Sequence, residues 1–126
     1  MLRSLIAAAV LVLISAPLLA ASPPASFEQA AFARAQSEGR TIIIESYAPW
    51  CLPCRIQTPL LQRLREEGAY ADMRLFRIGE KSPPADWRRF RLKGYGTLVV
   101  FKGHREVARG TPTSEAAMRQ LLSAGI

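Results

Sequence analysis

The segment from Thr41 to Cys54 reads Thr-Ile-Ile-Ile-Glu-Ser-Tyr-Ala-Pro-Trp-Cys-Leu-Pro-Cys, and no other stretch of the chain restricts its fold as tightly. Thr41 to Tyr47 is rich in β-branched and aromatic residues, and Ile42, Ile43 and Ile44 follow one another without a polar break. Such a run suits a strand covered on both faces, which places it in the middle of a sheet. Cys51 and Cys54 follow, separated by two residues, and the chain has no other cysteine. Beyond them Leu60, Leu61 and Leu64 recur at helical spacing as far as Gly68, with Pro59 kinking the element. The cysteine pair therefore lies where a buried strand turns into a helix.

That position has a chemical consequence. Unpaired backbone N–H groups and the positive end of the helix dipole stabilise a thiolate at a helix N-terminus, which makes Cys51 the nucleophile. Cys54 lies about one turn further in, close enough to close a disulfide yet more shielded, which makes it the resolving thiol. A purely stabilising crosslink fits less well, because its benefit grows with the length of loop it closes. Zinc is not expected, since a closed site wants four ligands and the remaining candidate, His104, falls on a predicted turn. Covalent haem is excluded by Arg55, which stands where the required His would be. No cofactor is expected beyond the Cys51–Cys54 pair itself.

The other elements set the class. Ser26 reads as an N-cap with Gln29 completing a capping box, opening a helix that carries Phe27, Ala30, Ala31 and Ala35 and stops at Gly39. Arg74 to Ile78 is a second strand, Asp86 to Leu92 a short helix, and Thr97 to Phe101 a third strand. Glu106 to Arg109 completes a hairpin with that strand. A last helix is expected with Thr111 as cap and Pro112 at its first position, presenting Met118, Leu121 and Leu122. The order α, β, α, β, α, β, β, α predicts an α/β fold with a central mixed β-sheet of about four strands flanked by helices.

Residues 1–21 read as a signal peptide: Arg3 supplies positive charge, Leu5 to Leu19 is apolar except for Ser15 and Pro17, and Ala20 and Ala21 are small. Cleavage there is the reading taken. Leu18 or Leu19 would occupy a site that prefers a small residue, so an uncleaved N-terminal anchor in the inner membrane is the alternative. Either way the folded part, residues 26–126 after a linker at 22–25, is expected to be periplasmic or secreted. In that compartment a cysteine pair can persist as a disulfide.

The chain has 17 Lys and Arg against 10 Asp and Glu, a formal +7. A polyanion- or envelope-binding domain is one reading of that excess, but the charge is dispersed from Arg3 to Arg119 and no nucleic-acid partner is expected. The one concentration is Arg88, Arg89, Arg91 and Lys93, either a solvated face or a surface that attracts acidic substrate segments.

Tyr47-Ala48-Pro49-Trp50-Cys51-Leu52-Pro53-Cys54-Arg55 resembles the active-site segment of the thioredoxins, with Trp before the first cysteine and Pro before the second. The likeness runs over roughly residues 26 to 124. Pro59 matches the family's helix-kinking proline and Gly110 its late glycine, while the opening helix is similar to that of periplasmic thioredoxin-like domains. The resemblance implies a thioredoxin-like fold with Trp50, Leu52 and Pro53 surrounding the redox pair. It also implies that Glu45, six residues before Cys51, is the family's buried acid, and that Arg77 takes the place of a nearby lysine. In that role Glu45 would accept a proton from Cys54; the other reading is an exposed strand-end carboxylate paired with Arg77.

One segment departs from the family. Its loop opposite the disulfide carries a cis-proline before a threonine, and here the loop is Tyr95-Gly96-Thr97. A cis bond without proline costs about 2.5–4 kcal/mol, so the Tyr95–Gly96 bond is expected to be trans or locally flexible. The loop's part in docking substrate is thereby put in question.

The expected reaction is thiol–disulfide exchange on protein thiols and disulfides. Strong oxidants of this superfamily carry a His between the cysteines, whereas Leu52-Pro53 offers neither donor nor charge, which favours a reducing or isomerising enzyme. A reductant in an oxidising compartment needs a membrane electron donor. The alternatives are a disulfide-forming oxidant and a non-catalytic binding module of the same fold. A monomer is expected.

Overall fold

Six consecutive residues, Thr41–Ser46, are buried, and the strand they form holds the centre of the sheet as its isoleucine run requires. The computed structural model describes residues 24–126. The expected leader and the first two linker residues lie outside the described residues. In chain order the elements are β1 (Ala25–Ser26), α1 (Gln29–Ser37), β2 (Thr41–Ser46), α2 (Leu52–Arg65), β3 (Arg74–Ile78), α3 (Pro84–Arg89), β4 (Leu98–Lys102), β5 (Arg105–Gly110) and α4 (Glu115–Ser123). The sheet order is β1-β3-β2-β4-β5. β3 runs parallel to β1 and β2, whereas β4 is antiparallel to β2 and β5.

Alternation along β2 divides the core in two. Ile43 packs with Leu61, Leu64, Leu98, Met118 and Leu122 beneath α2 and α4. Ile42 and Ile44 pack on the other face with Phe32, Phe76, Phe90 and Val99, beneath α1 and the α3 region. Leu98 and Val100 share the first face and Val99 the second, so β4 repeats the pattern of its neighbour.

The sheet has five strands rather than about four, and the extra one explains why Ser26 is not a cap. Ala25 and Ser26 pair in parallel with Phe76 and Arg77. The Phe27 N–H then donates to the Arg77 carbonyl at 3.0 Å, which keeps the chain extended. α1 therefore starts at Gln29, with Glu28 as an N-cap that makes no side-chain hydrogen bond. Gly39, at φ 68°, follows the helix end as expected of a glycine in the left-handed region.

The last helix also begins later than expected. Its cap is Ser114, whose hydroxyl accepts from the Ala117 N–H at 3.2 Å. Thr111 and Pro112 precede it as loop, because the Pro112 carbonyl is held by a side chain of α2 described below. α3 spans Pro84–Arg89, short of Leu92, and the chain leaves it through Arg91 at φ 52°.

Candidate active site

Cys51 is the N-cap of α2, with extended backbone, and its sulfur accepts from the Cys54 N–H at 3.3 Å. Pro53 fits this first turn because its missing N–H would have no helical partner there. The two cysteines form a disulfide with Cα atoms 5.2 Å apart. Cys51 retains 4 % exposure and Cys54 none, which is the asymmetry expected of an attacking and a resolving sulfur. Behind the pair, Cys54 Sγ lies 3.6 Å from the Ser46 carbonyl oxygen at the end of β2.

Aromatic rings border the disulfide. Tyr47 and Tyr95 pack against Ala48, Cys51 and Cys54. The Tyr95 ring stands edge-on to Trp50 at 4.9 Å and to Trp87 at 5.2 Å between centroids. Trp50 Nε1 donates to Glu80 Oε1 at 2.7 Å, and Trp87 Nε1 to the Gly79 carbonyl at 3.2 Å. Trp50, Leu52 and Ile56 are exposed around the pair.

Glu45 is wholly buried, so it is not an exposed strand-end carboxylate. It lies opposite Arg77 in the β2–β3 register, and Arg77 Nε donates to its Oε2 at 2.9 Å. The Arg77 guanidinium also lies over the Tyr47 ring, 3.8 Å from its centroid. Glu45 Oε1 has no hydrogen-bond partner among the described residues. Strand alternation puts this carboxylate on the Ile43 face, the face that α2 covers with Cys54 in its first turn. Burial pushes the Glu45 carboxyl above the ordinary carboxylate range, against the opposing pull of the hydrogen bond and charge of Arg77 and the charge of Arg65.

The loop that departs from the family is well held. The described residues contain no cis peptide bond, so Tyr95–Gly96 is trans, with Gly96 at φ 88°. The Gly96 N–H donates to the Ser46 carbonyl at 2.7 Å, and the Thr97 N–H to Ser46 Oγ at 2.9 Å. A Cβ at position 96 would fall 2.9 Å from Pro53 Cβ, so there is no room for a side chain between the loop and Pro53, one of the two residues between the cysteines.

Two buried polar residues of α2 escaped the sequence reading. Gln57 is fully buried on α2 and donates from Nε2 to the Gly96 carbonyl at 2.7 Å and the Pro112 carbonyl at 3.0 Å. Its signal was present: the buried positions Cys54, Gln57, Leu61 and Leu64 form one helical stripe in which Gln57 is the only amide. Arg65, buried at the end of α2, donates from Nη2 to the Met73 carbonyl at 3.1 Å.

The Arg88-to-Lys93 group is partly engaged. Arg89 lies over the Phe27, Phe32 and Phe90 rings at 5.2–5.8 Å, and Arg91 pairs with Glu106 at 3.1 Å. Trp87, on the same helix, brings this region against Tyr95 at the site.

A disulfide of Cys51 and Cys54 capping the helix that follows the central strand of a mixed sheet defines a thiol–disulfide oxidoreductase. The comparisons with known proteins agree. The Thioredoxin family model matches residues 23–124. Thioredoxin from Chlamydia pneumoniae is 35 % identical over 68 residues, covering 54 % of this chain and 65 % of that protein. Thioredoxin-1 of Saccharomyces cerevisiae is 27 % identical over 93 residues, covering 74 % and 88 %. Among solved structures, Trxlp from Edwardsiella tarda aligns with a TM-score of 0.74 at 30 % identity, covering 79 % of this chain and 98 % of that one. The chain belongs to the thioredoxin family.

Proposed function

We propose that this protein is exported and reduces or isomerises protein disulfides through Cys51 and Cys54. The observation that carries the exchange chemistry is the placement of Cys51 Sγ as the cap of α2, with Cys54 buried behind it. In the dithiol form the Cys51 thiolate attacks one sulfur of a substrate disulfide, and the other substrate sulfur leaves as a thiolate. Cys54 gives up its proton and attacks Cys51 Sγ. The second substrate sulfur is expelled and the Cys51–Cys54 bond closes, so two electrons have passed from the pair to the substrate. Isomerisation uses the same attack by Cys51, with release onto a new pairing and no net electron transfer.

Glu45 is the acceptor of the Cys54 proton, supported by its burial, its raised affinity for a proton and the carboxylate oxygen that Arg77 leaves uncommitted. Tyr95, Gly96 and Thr97 form the rim along which substrate lies. Leu52-Pro53 offers no group to stabilise the reduced thiolate beyond the helix terminus, which supports the reducing direction. The reductant role requires an electron donor, which for an exported protein is a membrane protein.

The experiment is turnover of a model protein disulfide such as that of insulin. Wild type should reduce it with dithiothreitol as donor, and Cys51→Ser should lose activity to background; a variant as fast as wild type rejects Cys51 as the nucleophile. The equilibrium with glutathione decides direction, since a strongly oxidising potential rejects the reductant. Cell fractionation tests export, and recovery of the full chain in the cytoplasm rejects it.

A further inference from the structure

Three separately formed segments meet beside the disulfide: the first turns of α2, the Gly96 loop before β4, and the Thr111–Pro112 segment before α4. One side chain touches all three. Gln57 lies on α2 three residues beyond Cys54, and its carboxamide reaches the carbonyls of Gly96 and Pro112 at 2.7 and 3.0 Å. The side chain is entirely buried. A buried amide whose donors are satisfied by two separate loops acts as a crosslink, because an apolar replacement would leave both carbonyls without that donor.

The loop needs such a crosslink. Where the family has a proline ring to fix the chain, this protein has a glycine at φ 88°, the residue with the widest backbone freedom. Its shape must be imposed from outside. Ser46 fixes one side, accepting from the Gly96 and Thr97 N–H groups and donating to the Gly94 carbonyl at 2.7 Å. Gln57 fixes the other. The loop it holds lies beside the disulfide, since a Cβ at Gly96 would fall 2.9 Å from Pro53 Cβ.

From this geometry we propose that Gln57 is a positioning residue for disulfide exchange: its amide latches the Gly96 loop and the Pro112 segment to α2, and so sets the rim that aligns a protein substrate with Cys51. The inference rests on the reading of Cys51 as the exchange nucleophile. Gln57 touches neither the substrate nor the reacting sulfurs, and it acts through the two loops it holds.

The test is Gln57→Met, which keeps side-chain length and removes both donors. Folded Gln57→Met should lose about tenfold in kcat/KM for insulin reduction, chiefly through KM, because a rim displaced by a fraction of an ångström misaligns the substrate disulfide. The pH profile for alkylation of Cys51 by iodoacetamide should match wild type, a separation that a general loss of structure would not give. Amide hydrogen exchange at Gly96 and Thr97 should quicken. A kcat/KM within twofold of wild type, or unchanged exchange at Gly96 and Thr97, overturns the proposal. If wild type itself fails to reduce insulin, the functional reading falls, while amide exchange still decides whether the latch exists. Should Gln57→Met not fold, the wild-type Gln57 side-chain amide protons decide: slow exchange with NOEs to Gly96 and Pro112 supports the latch, and rapid exchange overturns it.

Discussion

Glu45 concentrates the conflict between stability and chemistry in one side chain. Its carboxyl sits above the ordinary range in the folded chain because burial disfavours the charge more than Arg77 and Arg65 restore it. Between the unfolded value and the higher folded one, the folded state therefore holds a proton that the unfolded state has released. Stability falls as pH rises from the unfolded carboxylate value, about 4.3, through the folded one. Glu45→Gln removes this dependence while leaving a carbonyl to accept from Arg77. The variant should have a higher urea midpoint than wild type at pH 8, and the two should converge near pH 4. A variant less stable than wild type at pH 8 would show that the ion pair outweighs the burial cost. Sequence made the Cys51 and Cys54 positions legible, because their chemistry is written in residue type and spacing. It left Glu45 divided between two environments, since burial depends on α2 lying across that face of the sheet, and spacing along one strand does not report this.

At the scale of elements, the Gly96 loop is the departure with the clearest consequence. Restoring a proline there should not restore the family's loop, because Pro fixes φ near −65° against the 88° found and removes the N–H that donates to Ser46. Gly96→Pro should cost about 3 kcal/mol or more, measured by urea denaturation. A variant as stable as wild type would mean that the loop can rebuild around a cis bond. Long elements were legible: β2 from its isoleucines, α2 from its leucine spacing, and the β4–β5 hairpin from β-branched runs around a glycine. The errors fell on element starts governed by distant partners. β1 is two residues long and exists through its pairing with Phe76 and Arg77, and α4 starts at Glu115, after its cap Ser114, with the Pro112 carbonyl held by Gln57 in the loop before it. Neither partner is near in sequence.

For the whole molecule, the two faces of the sheet have divided duties. The α2 face carries the cysteines, the buried carboxylate and the latch, while the opposite face holds an aromatic cluster that serves packing. Phe32, 1 % exposed, is at its centre, with ring centroids 5.3–6.3 Å from those of Phe27, Phe76, Phe90 and Phe101. Phe32→Ala should cost about 3–5 kcal/mol by loss of burial and creation of a cavity. For a domain with a total stability of about 5–15 kcal/mol that is a large fraction, read as a lower urea midpoint at unchanged slope. A loss below about 1 kcal/mol would mean that the cluster collapses around the gap. The folded fraction should keep the alkylation profile of Cys51, because Phe32 itself packs on the face of the sheet opposite α2. The β2–β3 register gives the Glu45–Arg77 pair a further consequence. A one-residue slip between these parallel strands would turn Arg77 toward the aromatic side and strand Glu45 in the interior without its guanidinium. Misaligned sheets are thus penalised by the same ion pair, which acts as a proofreader of strand assembly before any substrate arrives.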